Sequence, residues 1–195
     1  MKLWDKGYDT DSFVEEFTVG RDRELDLYLA EADVLGNMAH QKMLCSIGLL
    51  SKEDSEALEK GLKEIYQQVL DGKFQIEDGV EDVHSQVEFM LTQMCGQAGK
   101  KIHTGRSRND QVMVDIKLFS RSALIALQES VEQLFHTLMA KAEQYKDLLM
   151  PGYTHMQVAM PSSFGMWLSA YAEALADDLL MLKAAYSLVN TNPLG

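Results

Sequence analysis

Between Lys101 and Gln111 the chain reads Lys-Ile-His-Thr-Gly-Arg-Ser-Arg-Asn-Asp-Gln, two guanidiniums set among hydroxyl, amide and imidazole groups. Such groups grip anions. Arg106 and Arg108 offer planar forks that match carboxylates, Gly105 lets backbone approach a ligand, and a helix starting just after them would add the positive end of its dipole. A solvated connecting loop is the plainer reading of the same composition. A second polar stretch, from Pro151 to Gln157 (Pro-Gly-Tyr-Thr-His-Met-Gln), again collects hydroxyl, imidazole and amide groups and tips the balance toward chemistry. His84, in the run Glu-Asp-Val-His-Ser-Gln, supplies a third group. An imidazole gives or takes a proton near neutral pH, so His84 and the pair Thr154-His155 are the candidates for proton transfer. His40, His103 and His136 read as structural.

These groups sit on an acidic body. The 195 residues carry a formal charge of -12, which repels a phosphate backbone and argues against a nucleic-acid partner. Lys100, Lys101, Arg106 and Arg108 form a local inversion of that sign, suited to a small polyanion. No Cys cluster, His-x-x-x-His pair or Asp-rich calcium loop is present, so a metal site is not expected. Neither is a nucleotide cofactor, since no glycine-rich phosphate loop occurs. Cys45 and Cys95, far apart and in apolar stretches, read as buried thiols of a reducing compartment. With no leader-like start and no apolar run long enough to cross a bilayer, the expected location is the cytoplasm, away from the membrane.

Hydrophobic spacing then predicts the elements that carry the groups. From Asp22 to Ile47, Leu25, Leu29, Ala32, Leu35, Ala39 and Met43 recur at helical intervals, with Gly48 as the stop. Ser51 with Asp54 three residues on marks the start of a second helix, whose inner face is Leu58, Leu62, Ile65 and Val69. A third should begin near Glu81 and Asp82 and turn Val83, Val87, Met90 and Met94 inward. Asn109 to Lys146 is unbroken at helical period, a rod of about 55 Å. After Pro151-Gly152 a second long helix is expected, Pro161 in its first turn and Phe164, Trp167, Tyr171, Leu175, Leu179, Leu182, Tyr186 and Val189 along one stripe. No segment alternates with period two, and all three prolines fall at expected helix boundaries. The fold class is all-α, with a small helical domain over 1–104 and the opening helices of a bundle over 105–195. The long helices carry apolar residues on more than one face and need further partners.

Two stretches carry a resemblance: His103-Thr-Gly-Arg-Ser-Arg-Asn-Asp-Gln111 and Pro151-Gly-Tyr-Thr-His155. They resemble signatures of the argininosuccinate lyases, within the fumarase/aspartase superfamily. The likeness extends to Leu3-Trp4, Asp33-Val34, Glu81-Asp-Val-His84 and Asn192-Pro-Leu-Gly195, essentially the whole chain. It implies a cofactor-free β-elimination that splits argininosuccinate into arginine and fumarate. It also implies a homotetramer, with sites assembled where subunits meet. By resemblance Ser107, Arg108 and Asn109 hold substrate beside Arg106, Thr154 meets a fumarate-side carboxylate, and His155 acts in proton transfer, with His84 joining from another part of the site. Asp26 matches an acidic residue gripping the amino-acid end of the substrate, and Gln157 a polar position beside the signature histidine.

The pattern also departs from that family. Asp5-Lys-Gly-Tyr8 stands where Gly-Gly-Arg-Phe is usual, and Asp22 where a serine is expected. The loop bearing the family's general-base serine is expected beyond Gly195, so this chain alone should lack activity. Two alternatives stay open, a non-catalytic crystallin-like or binding protein, and a related fumarate-releasing enzyme such as adenylosuccinate lyase.

Overall fold

A computed structural model of the chain describes residues 12–193. Leu3-Trp4, the segment Asp5–Tyr8, and Leu194 and Gly195 of the closing motif lie outside the described residues. The structure is helical, as the apolar periodicity requires, with one two-stranded hairpin as the sheet found among the described residues. In chain order α1 is Ser12–Val19, α2 Asp22–Leu25, α3 Ala30–Ser46, α4 Lys52–Leu70, α5 Val83–Cys95 and α6 Arg108–Gln144. The hairpin β1 Leu149–Thr154 and β2 Gln157–Ser163 follows, then α7 Phe164–Val189. Short 3-10 turns at Asp26–Leu29 and Gly96–Lys101 precede α3 and the basic loop. The described residues up to Phe119 with Asn192 and Pro193 form one compact unit, and Ser120–Thr191 another.

In the first unit, Val34 and Leu44 of α3, Leu58, Leu62 and Ile65 of α4, and Val83, Val87 and Leu91 of α5 bury together as the core. Burying one such side chain contributes roughly 1.5–3 kcal/mol. Ser51 caps α4 as expected, its hydroxyl accepting from the Asp54 N–H at 3.1 Å, and Asp82 caps α5 by accepting from Ser85 N–H at 2.7 Å. At the end of α3, beside Gly48, Leu49 N–H returns to Leu44 O at 2.9 Å.

Several expectations fail for identifiable reasons. The segment from Asp22 is not one helix, because the tighter turn at Asp26–Leu29 intervenes before α3. The stripe read from Asp22 to Ile47 is largely out of phase: Ala32 is buried, but Leu25, Leu35 and Met43 are exposed, whereas Asp33, Asn37 and Gln41 are buried. Asp33 and Asn37 point inward because they bond to each other and to polar groups opposite, and Gln41 accepts from Ser55 Oγ at 2.5 Å, which offsets their desolvation. Met94 is exposed, and Leu91 takes its place inside. Cys45 and Cys95 are free thiols, only half buried at the margin of the core.

In the second unit α6 and α7 run antiparallel. Arg121 of α6 donates to Asn190 Oδ1 beyond α7 at 3.2 Å, and Gly165 at the start of α7 lies against Ala142 and Lys146 near the end of α6. A Cβ on Gly165 would sit 2.6 Å from both the Ala142 carbonyl oxygen and Lys146 Cα, so only glycine permits this approach. The hairpin replaces the expected helix start. Pro151 and Pro161 face each other across the strands rather than bounding helices, with an irregularity between Pro151 and Tyr153. Ser163 caps α7, accepting from Met166 N–H at 3.1 Å.

Candidate functional site

The basic loop is held from α3 and α5. His40 Nε2 of α3 donates to Thr104 O at 2.9 Å, and Arg106 Nη2 donates to Asn37 Oδ1, also of α3. Arg108, the first residue of α6, donates from Nη2 to Ser85 Oγ at 3.2 Å, and its Nε stands 3.4 Å from Asp82 Oδ2. Gly105 makes the turn possible at φ 69°, a left-handed conformation that costs other residues roughly 1–2 kcal/mol. Ser107 and Asp110 cap α6 reciprocally: Asp110 N–H donates to Ser107 Oγ at 3.2 Å and Ser107 N–H to Asp110 Oδ2 at 2.9 Å. Asn109 is exposed in the first turn. The result is a half-buried pair of guanidiniums at the N-terminus of a 37-residue helix, an arrangement that stabilises a bound carboxylate.

Asp26 approaches the same region. Its Oδ2 accepts from Val83 N–H at 3.3 Å at the start of α5, one residue from Asp82 and two from Ser85. Burial pushes the Asp26 carboxyl above its ordinary range, opposed by that N–H and by the His84 ring. Asp26, Asp82, Ser85 and Arg108 thus converge on the α5 N-terminus.

Beneath the loop lies a polar core that hydrophobic periodicity does not reveal. His84 is buried, and its Nδ1–H donates to Asp33 Oδ1 at 2.8 Å, an assignment that follows because an ionised carboxylate only accepts. Gln111 Nε2 donates to the same oxygen at 2.5 Å, and Asn37 Nδ2 to Asp33 Oδ2 at 2.9 Å. Asp115 of α6 brings Oδ2 to 3.4 Å from His84 Nδ1, yet that oxygen completes no hydrogen bond there, since the imidazole proton is directed at Asp33. Burial would raise Asp33, but the His84 bond and charge, Gln111 and Arg106 outweigh it and hold the carboxyl below its ordinary value. Asp115 goes the other way: burial, then the adjacent Asp33 charge, push it up to about 9. Asp33, His84 and Asp115 hold potential ligand atoms within 4.8 Å of one another, the geometry of a cation site. Both Asp33 oxygens are already engaged by N–H donors, so the trio reads as a hydrogen-bonded core rather than a ligand set.

Thr154, His155 and Gln157 lie in the other unit. Thr154 pairs with Gln157 across the strands, leaving His155 and Met156 as a two-residue turn with φ 47° and 61°. Positive φ at both positions is the primed turn that matches strand twist, normally built from Asn and Gly. A histidine and a methionine here store strain, and they hold the imidazole outward at an exposed tip.

The structure therefore gathers Arg106, Ser107, Arg108, Asn109, Asp26 and His84 around α5 and the start of α6, and Thr154, His155 and Gln157 on the hairpin. Sequence reading missed Asn37, His40, Asp82, Ser85, Gln111 and Asp115. The available signal was polar residues repeating at four-residue spacing, Asp33-Asn37-Gln41 and Gln111-Asp115, inside helices otherwise read for apolar stripes.

A family model described as Lyase matches residues 6–195. The chain belongs to that lyase family. Along its whole length it is 61% identical to the argininosuccinate lyase of Bacteroides fragilis and, over 194 residues, 40% identical to that of Thermotoga neapolitana. It spans 44% and 49% of the length of these curated relatives. Among solved structures it is similar to a variant of EDDS lyase with bound fumarate, at TM-score 0.73 and 26% identity over 97% of this chain and 37% of that one. The likeness to the fumarate lyase:delta crystallin of Brucella melitensis, TM-score 0.76 at 15% identity over 96% of this chain and 48% of that one, is one of fold. No helix among the described residues of this lyase-family chain is long and apolar enough to cross a membrane.

Proposed function

We propose that this chain supplies the amino-terminal part of an argininosuccinate lyase acting in the cytoplasm in arginine biosynthesis, splitting argininosuccinate into arginine and fumarate. The observation that carries the reading is the loop Arg106–Asn109, intact in type and held by α3 and α5, in a chain 61% identical throughout to a protein of that name. In the elimination a base takes a proton from the carbon next to a succinyl carboxylate, the electrons form the alkene, and the carbon–nitrogen bond breaks. The nitrogen then leaves with a proton as the guanidine of arginine. Negative charge grows on the carboxylate as the proton departs, so donors fixed before the reaction lower the barrier. Ser107, Arg108 and Asn109 serve that role beside Arg106, and Thr154 and Gln157 meet the substrate from the hairpin. His155 handles the proton at nitrogen or balances the charge, Asp26 grips the amino-acid end, and His84 orients the set from below. The reaction implied uses no cofactor or metal. The division at 1–104 and 105–195 belongs to this reading, as does a homotetramer in which different subunits bring the loop and the hairpin together.

Complementation in the full-length protein tests it. His155→Asn and Arg108→Ala variants, each inactive alone, should regain part of the parent activity when dissociated and mixed, read as fumarate absorbance with arginine released in equal amount. No recovery at any mixing ratio rejects sites shared between subunits. Fumarate from adenylosuccinate but not argininosuccinate reassigns the substrate, and activity on neither leaves a crystallin-like role.

A further inference from the structure

Asp115 has no part in the reading above, yet it is the buried charge-bearing group whose surroundings are hardest to satisfy. It is 1% exposed, on the face of α6 turned to α3 and α5. One oxygen lies over Gly36 of α3, where a Cβ would come within 3.4 Å of Oδ1, and the other stands by His84 of α5 without a donor. Facing it are Asp33 from α3, His84 from α5, Arg106 from the basic loop and, farther off, Asp26 from the turn before α3. The available N–H groups converge on Asp33 instead: His84 and Gln111 take one oxygen, Asn37 the other. Two ionised carboxylates this close, with the imidazole proton on Asp33 alone and no water-facing side, would repel strongly. A single proton resolves the conflict if it sits on Asp115.

The geometry points to Asp115 as a positioning residue that works as a neutral acid: its O–H donates toward Asp33, closing the Asp33–His84 network from α6. Asp33 is then the one anion of the core, and its second oxygen orders Asn37, which holds Arg106. The start of α6 and the loop that precedes it are fixed by the same proton. Burial and the Asp33 charge agree with this assignment, pushing Asp115 up to about 9. The inference rests on the core alone and needs no turnover for its test, so it stands or falls apart from the lyase reading.

The sign of the pH effect follows. A carboxyl raised in the folded state binds a proton there that the unfolded chain has released above its ordinary value of 3.8. Its contribution to stability is complete below that value and declines as pH rises toward about 9. Relative to Asp115→Asn, which keeps a donor and cannot ionise, the parent's unfolding constant should climb up to about tenfold per pH unit between about pH 7 and 8.5. The Asn variant should retain the slow amide exchange of Arg106–Gln111, and Asp115→Leu, of similar size without a donor, should lose it. In the unsubstituted chain, the carbon-13 resonance of the Asp115 carboxyl should sit at the protonated position at pH 7. A carboxylate shift at that pH, an Asn variant with the parent's pH slope, or an Asn variant as unstable as the Leu variant would each overturn the proposal.

Discussion

Asp33 accepts three hydrogen bonds in a fully enclosed position, from α3 itself, from α5 and from α6. A buried charge so completely matched is held by its partners, and its partners by it. Asp33→Ala leaves the His84, Gln111 and Asn37 donors without an acceptor, and breaking such a set typically costs about 3–5 kcal/mol. Urea unfolding of this variant should show a loss in that range, and at pH 7 the loop amides from Thr104 to Asn109 should exchange faster than those of α4. The carboxyl held below its ordinary value of 3.8 contributes stability above that pH, and the contribution fades as acid takes the pH down through the lowered value. Arg106 and Arg108 were readable from the sequence as types able to grip anions, whereas the bonds they make to Asn37 and Ser85 within the fold were not. Asp33 and Asp115 were not, because pattern reading assigns polar residues to the outside, and only the spatial meeting of Asp33, His84 and Gln111 inverts that assignment.

Long helices were the most readable elements, since α4 and α6 repeat their pattern over many turns and Ser51 and Asp82 occupy cap positions. The hairpin was hidden for a physical reason. Both of its faces are largely exposed, so no apolar alternation is imposed on β1 and β2, and Pro151, Gly152 and Pro161 look like breaks. What defines it is its turn and its seating: Phe164 N–H donates to Leu148 O at 3.0 Å and Gly165 N–H to Tyr145 O at 3.2 Å. Gly165→Ala should push α7 away from Ala142 and Lys146, with a loss of roughly 1–3 kcal/mol as for other overpacked contacts. A thermal melt of the variant checks the size of the effect. A melting temperature equal to the parent's would mean that the two helices do not approach as closely as 2.6 Å implies.

The molecule as a whole leaves much apolar surface uncovered. On α7, Met166, Trp167, Tyr171, Leu180, Met181 and Leu188 are exposed, and Leu149, Val158 and Met160 on the hairpin are likewise open. Apolar patches of this extent mark contact with other protein. The charge of -12 opposes association at low ionic strength, and salt screens it, so self-association of the chain should strengthen as salt rises. Sedimentation equilibrium should give an average mass above the monomer's that grows with salt, and a monomer at every salt concentration would contradict this account. The sequence pointed the same way, through helices apolar on more than one face, because excess apolar area needs no knowledge of the partner to be visible.

The bonds that satisfy Asp33 reach 51 and 78 residues along the chain, to His84 and Gln111. Closing loops of such length is entropically slow, and no local helix can substitute for them. As the polypeptide leaves the ribosome, α3 and α4 can pair early and Asp33 can meet Asn37 of its own helix, but its bond to His84 waits for α5 and its bond to Gln111 for the first turn of α6. The amino-terminal helices therefore mature late, sealed by a segment made long after them.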